Sequence, residues 1–335
     1  MSDGQCSLSR AVDGWLTGRT GTAGEWSASQ LLRAKGDTRI SVVLPARDEE
    51  ATVGQIVRVI RHALVRRVPL LDEIIVVNSR SRDATARVAR SAGATVVDQD
   101  EMVGDLPRLD GKGAAMWSGL VAATGDVVVF IDADLHDFQA AFVTGLLGPL
   151  LTDPTIGFVK GFYHRPLAGI DGVEPDGGGR VTELVARPLL NLFWPQLAGF
   201  VQPLAGEYAG RRDLLSQVPF VSGYGVETGL LIDLFELVGL DGLAQVDLGV
   251  RRHRNQSNEA LGRMSAQIML TVWSRLQSQG LIAAAVSPAP LLAQFRRDED
   301  VPGLGRDVVV TDISVQERPP LATLRGPRTG LAAPV

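Results

Sequence analysis

The sequence contains a single cysteine, Cys6, in 335 residues. One cysteine cannot form an intramolecular disulfide or supply a cysteine-rich metal site. Disulfide-rich domains and domains held together by a cysteine-bound metal are therefore excluded. Apolar runs also fall short of the ~20 residues that cross a bilayer. The start, M-S-D-G-Q-C-S, lacks the basic-then-apolar pattern of a signal peptide. We therefore expect a cytoplasmic protein without stable membrane insertion.

A broad basic surface is absent as well. The chain has 33 Lys and Arg residues against 38 Asp and Glu residues, well mixed along the sequence, for a net charge of −5. This balance excludes extended electrostatic binding of nucleic acid, and we expect no nucleic-acid partner. Hydrophobic residues make up 45% of the chain, which is enough to fill the core of one large domain or two modest ones.

The glycine-rich phosphate loops of two large enzyme classes are missing. Neither G-x-G-x-x-G nor G-x-x-x-x-G-K-[ST] occurs, and the first strand is followed instead by L-P-A-R-D-E-E-A-T. A dinucleotide-dependent dehydrogenase and a P-loop NTPase are therefore disfavoured. The segment D-G-K-G at 110–113 only partly matches a phosphate loop, because no Ser or Thr follows the lysine.

From residue 40 onward, short β-branched runs alternate with longer helical patterns, which is typical of a mostly parallel sheet flanked by helices. Strands are predicted at 40–44, 73–77, 94–97, 126–131, 157–164 and 244–250, with an extended segment at 206–210. Helices are predicted at 51–65, 83–92, 113–124, 138–151, 181–197, 224–238 and 259–279. The last ~50 residues are rich in Pro, Gly and Arg, and we expect an extended or partly disordered tail with one strand-like run at 307–315.

Two carboxylates follow the strand predicted at 126–131, in the sequence F-I-D-A-D. Alternation along an extended chain places Asp132 and Asp134 on one side, at the carboxyl end of a parallel strand, where open α/β sheets bind ligands. Two hard oxygen donors in that place suit Mg²⁺ or Mn²⁺. A lone D-x-D can equally cap a helix or accept hydrogen bonds from loop amides.

A second candidate site lies in D-G-G-G-R-V-T, ahead of an apolar helical run. Flexible backbone amides and a helix N-terminus beside Arg180 and Thr182 would bind a phosphate or carboxylate, although a plain linker has the same composition. His253, in R-R-H-R-N, has cationic neighbours that favour its neutral, ligand-competent form, whereas a lone histidine is usually structural or solvated. Glu227 stands near the start of a predicted helix, whose dipole stabilises a carboxylate.

These segments together resemble a known family. P-A-R-D-E-E-A-T, V-N-S-R-S-R-D-A-T, G-K-G-A-A-M-W and F-I-D-A-D are similar to the nucleotide-sugar half of glycosyltransferases with the A-type fold. D-G-G-G-R-V-T-E-L, Q-P-L-A-G-E-Y-A-G-R-R, G-Y-G-V-E-T-G-L-L-I-D and Q-V-D-L-G-V-R-R-H-R-N resemble the glucosyl-3-phosphoglycerate synthases of actinobacteria, over roughly residues 40–280. Mannosyl-3-phosphoglycerate synthases belong to the same family and share much of this pattern.

The resemblance implies an α/β, Rossmann-like A-type fold with an acceptor-binding C-terminal part. Glucose would move from an NDP-glucose, usually UDP-glucose, to the 2-hydroxyl of 3-phosphoglycerate, with retention at the anomeric carbon and with Mg²⁺ or Mn²⁺. A GDP-mannose-dependent mannosyltransferase is the alternative. Asn78-Ser79-Arg80-Ser81 replaces the usual D-S-G-S or D-G-S, and Ala133 replaces a frequent Ser, so base and donor preference stay open.

The division of the chain follows from the same comparison. We expect an N-terminal helical lead at 1–39, a nucleotide-sugar-binding half at 40–150, an acceptor-binding half at 151–283 and the tail at 284–335. The predicted helix at 259–279 carries an apolar stripe that could pack internally or form a dimer seam, and we expect a homodimer.

Residue roles implied by the resemblance fall into four groups. The metal would be held by Asp134 and His253. The acceptor would be held by Gly179, Arg180, Thr182 and Asn255. The donor would be bound by Pro45, Arg47, Glu49, Ser79, Lys112, Asp132, Ala133, Tyr224 and Arg251. Catalysis would involve Glu227, Asp134 and Lys112.

Two competing functions are weaker. A nucleotidyltransferase on a similar sheet would need a glycine-rich first loop to admit a triphosphate. A non-catalytic nucleotide-sugar sensor would have lost the metal or acceptor residues, yet Asp134, His253, Arg180 and Thr182 are all present. The sequence offers no unambiguous nucleophile, which favours front-face departure of a diphosphate stabilised by metal and cations.

Overall fold

A computed structural model describes residues 3–164, 167–169, 172–174, 179–251, 257–283, 285–297 and 306–324. Within these residues, eight strands form one sheet in the order β1-β11-β6-β9-β5-β2-β3-β4. They are β1 Thr20–Thr22, β2 Ile40–Ala46, β3 Glu73–Asn78, β4 Thr95–Asp98, β5 Val127–Phe130, β6 Phe158–His164, β9 Tyr208–Arg211 and β11 Leu243–Val250. The predicted strands are confirmed to within two residues.

Helices connect these strands. They are α1 Asp3–Arg19, α2 Ala28–Lys35, α3 Val53–Arg61, α4 Thr85–Ala92, α5 Lys112–Ala122, α6 Ala140–Thr152, α7 Arg187–Phe193, α8 Arg212–Leu215, α9 Val226–Val238 and α10 Asn258–Ser278. A π-helical turn, His62–Arg67, extends α3. Asp83 Oδ1 accepts a hydrogen bond from the Thr85 backbone N–H at 2.9 Å, which forms an Asx turn directly before α4.

The sheet is parallel except for β9, which is antiparallel to both of its neighbours. Strands β2, β3, β4 and β5 run parallel on one side of it, and β6, β11 and β1 run parallel on the other. The predicted mostly parallel α/β fold is confirmed. Because β9 is reversed, the residues just before it reach the edge at which β5 and β6 end.

Each face of the sheet is covered by an apolar layer. On one face, Ile56 of α3 and Leu146 of α6 join Val42 and Val129 in one buried cluster. On the other face, Met116 of α5 and Leu230 of α9 lie in a second cluster with strand residues such as Val43. Burial of both faces explains why the strands are continuous runs of Val and Ile instead of alternating patterns.

The helix predicted at 181–197 is divided. A π-helical turn at Thr182–Ala186 precedes α7, and a 3-10 turn at Pro195–Gly199 follows it. Pro195 has no N–H to continue the helical ladder and holds Trp194 out of the α region, at φ −134° and ψ 66°. The prediction of one continuous helix was therefore wrong.

The C-terminal region contains three further strands: β12 Leu291–Arg297, β13 Arg306–Asp312 and β14 Glu317–Arg318. Strand β13 confirms the strand-like run predicted at 307–315, whereas its antiparallel partner β12 was not predicted. Strand β14 pairs with β10, Phe220–Val221. A small antiparallel pair, β7 Leu167–Gly169 and β8 Gly172–Glu174, completes the described strands. The division into four segments stays a prediction.

Candidate active site

The carboxylates of Asp132 and Asp134 lie just beyond the carboxyl end of β5, as predicted. Their side chains are 20% and 56% exposed, and both reach Arg251, at 3.8 Å and 3.0 Å. Thr52, at the start of α3, donates its hydroxyl hydrogen to the Ala133 carbonyl oxygen at 2.6 Å. This bond ties the D-A-D turn to the first βα loop, so the two predicted donor-binding segments form one rigid edge.

Lys112, the first residue of α5, stands at the centre of this edge. Its ammonium lies 2.5 Å from Asp132 Oδ1 and 2.8 Å from Glu227 Oε1. Glu227 is buried in the first turn of α9. Burial lowers the pKa of Lys112, but the charges of Asp132 and Glu227 outweigh that effect and raise the pKa well above its ordinary value. Lys112 is therefore a fixed cation facing the end of β5.

Two glycines near Lys112 leave room for atoms that a Cβ would overlap. A Cβ at Gly113 would lie 1.7 Å from the Val221 carbonyl oxygen, so glycine allows α5 to begin directly against β10. A Cβ at Gly206 would lie 2.1 Å from Asp132 Oδ2 and 2.5 Å from Lys112 Nζ. The segment entering β9 therefore packs against the Lys112–Asp132 ion pair.

Arg251, which follows β11, contacts carboxylates of two segments and the hydroxyl of a third. Its guanidinium is 3.2 Å from Glu207 Oε1 and 3.0 Å from Asp134 Oδ1, and it donates to the Tyr163 hydroxyl at 2.7 Å. The Tyr163 hydroxyl also donates a hydrogen bond to Glu207. Burial raises the pKa of Glu207, and Arg251 opposes that rise. The predicted donor-binding arginine is thus held by a buried acid and a tyrosine that the sequence did not identify.

Two carboxyl groups near the end of β5, those of Asp134 and Glu49, have raised pKa values. Burial and the neighbouring charge of Asp132 raise the pKa of Asp134, against the opposing effect of Arg251. Burial and the charge of Asp134 raise the pKa of Glu49 to about 7, although Thr52 donates a hydrogen bond to it at 3.2 Å. Glu49, Asp132 and Asp134 therefore bring negative charges close together at this edge, which favours the binding of a cation.

Other predicted donor residues surround the ends of β2 and β3. Pro45 belongs to β2, and Arg47 lies just beyond it with a half-exposed side chain 3.9 Å from Asp110. The buried Ser79 hydroxyl donates to Gln99 Oε1 at 2.7 Å. Arg80, held at φ +58°, forms a two-pronged ion pair with Asp100. The roles of Pro45, Arg47, Glu49 and Ser79 in a nucleoside pocket stay predictions.

Tyr224 and the predicted acceptor residues lie at the rim. Tyr224 is 44% exposed, and its N–H donates to Gln267 Oε1 at 3.0 Å. Gly179 has φ +87°, Arg180 is exposed and donates to Asn258 Oδ1 at 2.9 Å, and Thr182 is buried. His253 and Asn255 lie outside the described residues. Their roles in binding metal and acceptor stay predictions.

Curated relatives resemble the chain over most of its length. A glucosyl-3-phosphoglycerate synthase from Mycolicibacterium smegmatis is 46% identical over 313 residues, which cover 93% of this chain and 98% of the relative. The chain belongs to the glucosyl-3-phosphoglycerate synthase family. A model of glycosyl transferase family 2 also matches residues 41–177. Membership in this family makes the chain a metal-dependent hexosyltransferase.

Solved structures of the glucosyl-3-phosphoglycerate synthase family agree with the fold. The Mycobacterium tuberculosis synthase in complex with Mn²⁺, UDP-glucose and phosphoglyceric acid aligns with a TM-score of 0.79 at 42% identity, covering 92% of this chain and 99% of that one. A mannosyl-3-phosphoglycerate synthase from Rubrobacter xylanophilus aligns with a TM-score of 0.84 at 41% identity, covering 94% of this chain and 98% of that one.

The acidic side chains fit the metal used in this synthase family. Asp132 and Asp134 offer hard oxygen ligands, and the raised pKa of Asp134 indicates repulsion that a divalent cation would relieve. Among the described residues, no group of three or more His, Cys, Asp or Glu side chains could enclose a metal by itself. A metal at Asp134 would need a further ligand from the protein or the substrate, and His253 is the predicted protein ligand.

Three buried polar residues of the site were missed in the sequence: Tyr163, Glu207 and Lys160. Glu207 and Lys160 carried a readable signal, because each is an ionisable residue inside a run that otherwise reads as buried strand. Tyr163 carried no such signal, since tyrosine is common in strands.

Proposed function

We propose that the protein transfers glucose from UDP-glucose to the 2-hydroxyl of 3-phosphoglycerate, with retention at the anomeric carbon. The bond between the anomeric carbon and the diphosphate oxygen breaks, and a bond from that carbon to the acceptor oxygen forms. The acceptor proton passes to the departing diphosphate, so that UDP and glucosyl-3-phosphoglycerate are the products. Support comes from one observation above all: Lys112 and Arg251 meet the carboxylates of Asp132 and Asp134 at a single sheet edge.

The two cations are suited to a diphosphate leaving group. In the described structure Lys112 and Arg251 are paired with carboxylates, so their charge is held in place before the donor arrives. Such preorganised charge stabilises a developing anion without reorganisation during the reaction. Arg47 and Glu49, at the end of β2, would contact the nucleoside part of the donor.

Asp134, with His253 as its predicted partner, would hold Mg²⁺ or Mn²⁺, which when bound neutralises the diphosphate and favours its departure. The carboxylates of Asp132 and Glu49 would then face added positive charge. Their present repulsion supports a cation at this place.

The acceptor is proposed to lie against residues 179–182. Arg180 presents its guanidinium at the surface, and Gly179 adopts a left-handed conformation shortly before the π-helical turn Thr182–Ala186. A charged guanidinium close to the start of a helical turn matches a small phosphorylated carboxylic acid. Asn255 is the predicted second contact on this side.

Glu227 is proposed to face the donor sugar and to position Lys112. The 2.8 Å ion pair between them compensates the charge of Glu227, which makes this carboxylate a weak nucleophile. We therefore favour front-face departure over a covalent glycosyl-enzyme. Isolation of a glycosylated Glu227 peptide from enzyme trapped with a fluorinated donor would contradict this choice.

A donor panel tests the proposed function. Purified protein is incubated with Mn²⁺ or Mg²⁺, 3-phosphoglycerate and UDP-glucose, ADP-glucose, GDP-glucose or GDP-mannose, and the product is analysed by NMR for its linkage and anomeric configuration. We expect UDP release and α-linked glucose on the 2-hydroxyl. Preference for GDP-mannose would favour a mannosyltransferase, the second candidate, which the alignment to the Rubrobacter xylanophilus enzyme supports. Binding of the donors without turnover would contradict both.

A homodimer is the proposed assembly. The hairpin of β12 and β13 places four apolar side chains on one face, each more than half exposed: Leu291, Phe295, Val308 and Val310. Phe295 and Val308 are directly opposite each other in the register of the two strands. Exposed apolar faces of this kind favour association. Sedimentation of the wild type and Phe295→Asp tests it, since the variant is expected to weaken the dimer.

The cytoplasm is the proposed location, and in the described part of the chain no helix could span a membrane.

A further inference from the structure

Lys160 is a buried cation directly beneath the active site, and the reaction outlined above does not use it. It lies in β6, opposite Tyr208 of β9, and is 1% exposed. Its ammonium donates a hydrogen bond to the Ala205 carbonyl oxygen at 2.8 Å and lies 4.6 Å from the centre of the Tyr208 ring. Burial of an ammonium group without a directly bonded carboxylate lowers the free energy of unfolding. A residue kept at such a cost is a candidate for a functional role.

The carbonyl group that Lys160 holds belongs to the segment packed against the donor-side ion pair. Gly206 follows Ala205 immediately, and a Cβ on Gly206 would overlap Asp132 and Lys112. Glu207 comes next and bonds Arg251 at 3.2 Å. Residues 205–207 therefore connect Lys160, the Lys112–Asp132 pair and Arg251 in three consecutive positions.

The charges around Lys160 come from the same site. Burial lowers the pKa of Lys160 to about 7, while the carboxylates of Glu227 and Glu207 act in the opposite direction. A hydrophobic side chain of equal length would satisfy the packing without this penalty. A hydrophobic side chain could not donate a hydrogen bond to the Ala205 carbonyl oxygen. We therefore infer that this hydrogen bond is the specific contribution of the lysine.

We propose that Lys160 is a positioning residue. Its hydrogen bond to the Ala205 carbonyl oxygen holds the next residue, Gly206, against the Lys112–Asp132 ion pair and so keeps that pair in its catalytic position. It acts from below the site and does not touch the donor. The kinetic part of this inference rests on the proposed glucosyl transfer. The structural part, the anchoring of residues 205–207, does not depend on the identity of the substrates.

Lys160→Met tests the proposal, because it keeps an unbranched side chain only one atom shorter and removes the hydrogen bond. Val159→Ala is the matched control: it is a buried neighbour in the same strand, and its side chain contributes to the opposite apolar layer. We expect kcat of Lys160→Met to fall about 30-fold, since small misplacement of reacting groups is costly, with the acceptor KM changed less than about 3-fold. Val159→Ala should keep kcat within about 3-fold despite lower stability.

Hydrogen–deuterium exchange of the ligand-free protein supplies a readout independent of turnover. In Lys160→Met the peptide covering residues 203–208 should exchange about tenfold faster than in the wild type. In Val159→Ala the exchange rate of this peptide, divided by the rate of peptides from the rest of the sheet, should equal the wild-type ratio. Wild-type kcat together with wild-type exchange in Lys160→Met would overturn the proposal.

Two further outcomes are distinguishable. If the wild type transfers no sugar to any acceptor, the proposed function fails, and the exchange comparison still decides whether Lys160 anchors residues 205–207. If Lys160→Met does not fold, Lys160→Gln is measured in its place, with an expected kcat loss of about 5-fold and faster exchange at 203–208. Unchanged values for a folded Lys160→Gln would reject the positioning role.

Discussion

The two sides of the candidate active site, which we propose bind the donor and the acceptor, are built differently. On the donor side, Lys112, Asp132 and Arg251 come from a helix start and two strand ends, are at most 26% exposed, and are already ion-paired. On the acceptor side, Arg180 is exposed at the start of a π-helical turn, and Leu184 two residues beyond Thr182 is 76% exposed. The difference suggests that the donor side fixes the rate of transfer, whereas the acceptor side sets acceptor affinity.

The largest effect should come from removing the proposed metal ligand on the donor side. Asp134→Asn is expected to reduce kcat/KM by more than about 1000-fold, because the carboxylate that binds the cation is gone. Its melting temperature should stay near the wild-type value, since this side chain is 56% exposed. Turnover is measured over a range of Mn²⁺ concentrations.

Asp137→Asn is the control for that change, because Asp137 is an exposed acid three residues further along the same turn. It should retain wild-type turnover. Equal activity of the Asp134→Asn and wild-type enzymes at low Mn²⁺ would remove Asp134 from the metal site.

A smaller but still large effect is expected at Gly206. Gly206→Ala places a methyl group on the Lys112–Asp132 pair and should lower kcat about 100-fold, with a stability loss of about 1–3 kcal/mol from overpacking. Gly14→Ala, in α1 with no neighbouring atom within 4 Å, is the control and should leave kcat unchanged. A fully active Gly206→Ala enzyme would show that the donor side tolerates displacement.

On the acceptor side, the expected change is in KM alone. Arg180→Ala should raise the KM for 3-phosphoglycerate about 30-fold, equal to ~2 kcal/mol, because a charge-assisted contact is lost, and should leave the donor KM within about 3-fold. Initial rates at varied donor and acceptor concentrations separate the two constants. Arg66→Ala, at another exposed arginine, should change neither. Equal increases in both KM values would break the distinction between the two sides.

The smallest expected effect is on stability, through Glu49. Its folded-state pKa is about 7 against an ordinary value of 4.5, so between these pH values the folded protein binds more protons than the unfolded chain. The unfolding free energy should therefore fall as pH rises from 4.5 to 7, by about 1–2 kcal/mol after allowance for partial exposure. Glu49→Gln should remove the Glu49 contribution and so make that fall smaller.

Urea unfolding at several pH values, in the presence of a chelator, measures this slope. Glu50→Gln, at the next residue along the chain, should keep the wild-type slope. Saturating Mn²⁺ should reduce the slope of the wild type, since added positive charge favours ionised Glu49. A slope that is unaffected by Glu49→Gln would place the repulsive charge elsewhere.

The edge carrying Asp132 and Asp134 could be predicted because a buried β-branched run has a clear end, and side-chain alternation fixes which residues share a side. The direction of β9 could not be predicted, since parallel and antiparallel strands share the same local pattern. Because the direction of β9 was unknown, the placement of Gly206 and Glu207 at the site could not be predicted either. Their position depends on which end of β9 reaches the site.

Other parts of the site depended on resemblance to a family or on tertiary contacts. Lys112 begins a helix in a segment that only partly matches a phosphate loop, and nothing local indicates that Glu227 will lie 2.8 Å from it. The Tyr163–Glu207–Arg251 cluster joins residues 44 and 88 positions apart, which no local pattern specifies. The break of the helix after α7 was readable in Pro195.

The pairing of β14 with β10 affects how the active site can form during synthesis. Ser222, next to β10, receives a backbone hydrogen bond from Gly113 beside Lys112, and its own N–H donates to the Gln316 carbonyl oxygen. The ribosome must therefore release residues 316–318 before this support for the start of α5 at Lys112 exists. We expect nascent chains halted before that point to be folded in the main sheet yet inactive, which stalled-chain assays with and without residues 313–324 would reveal.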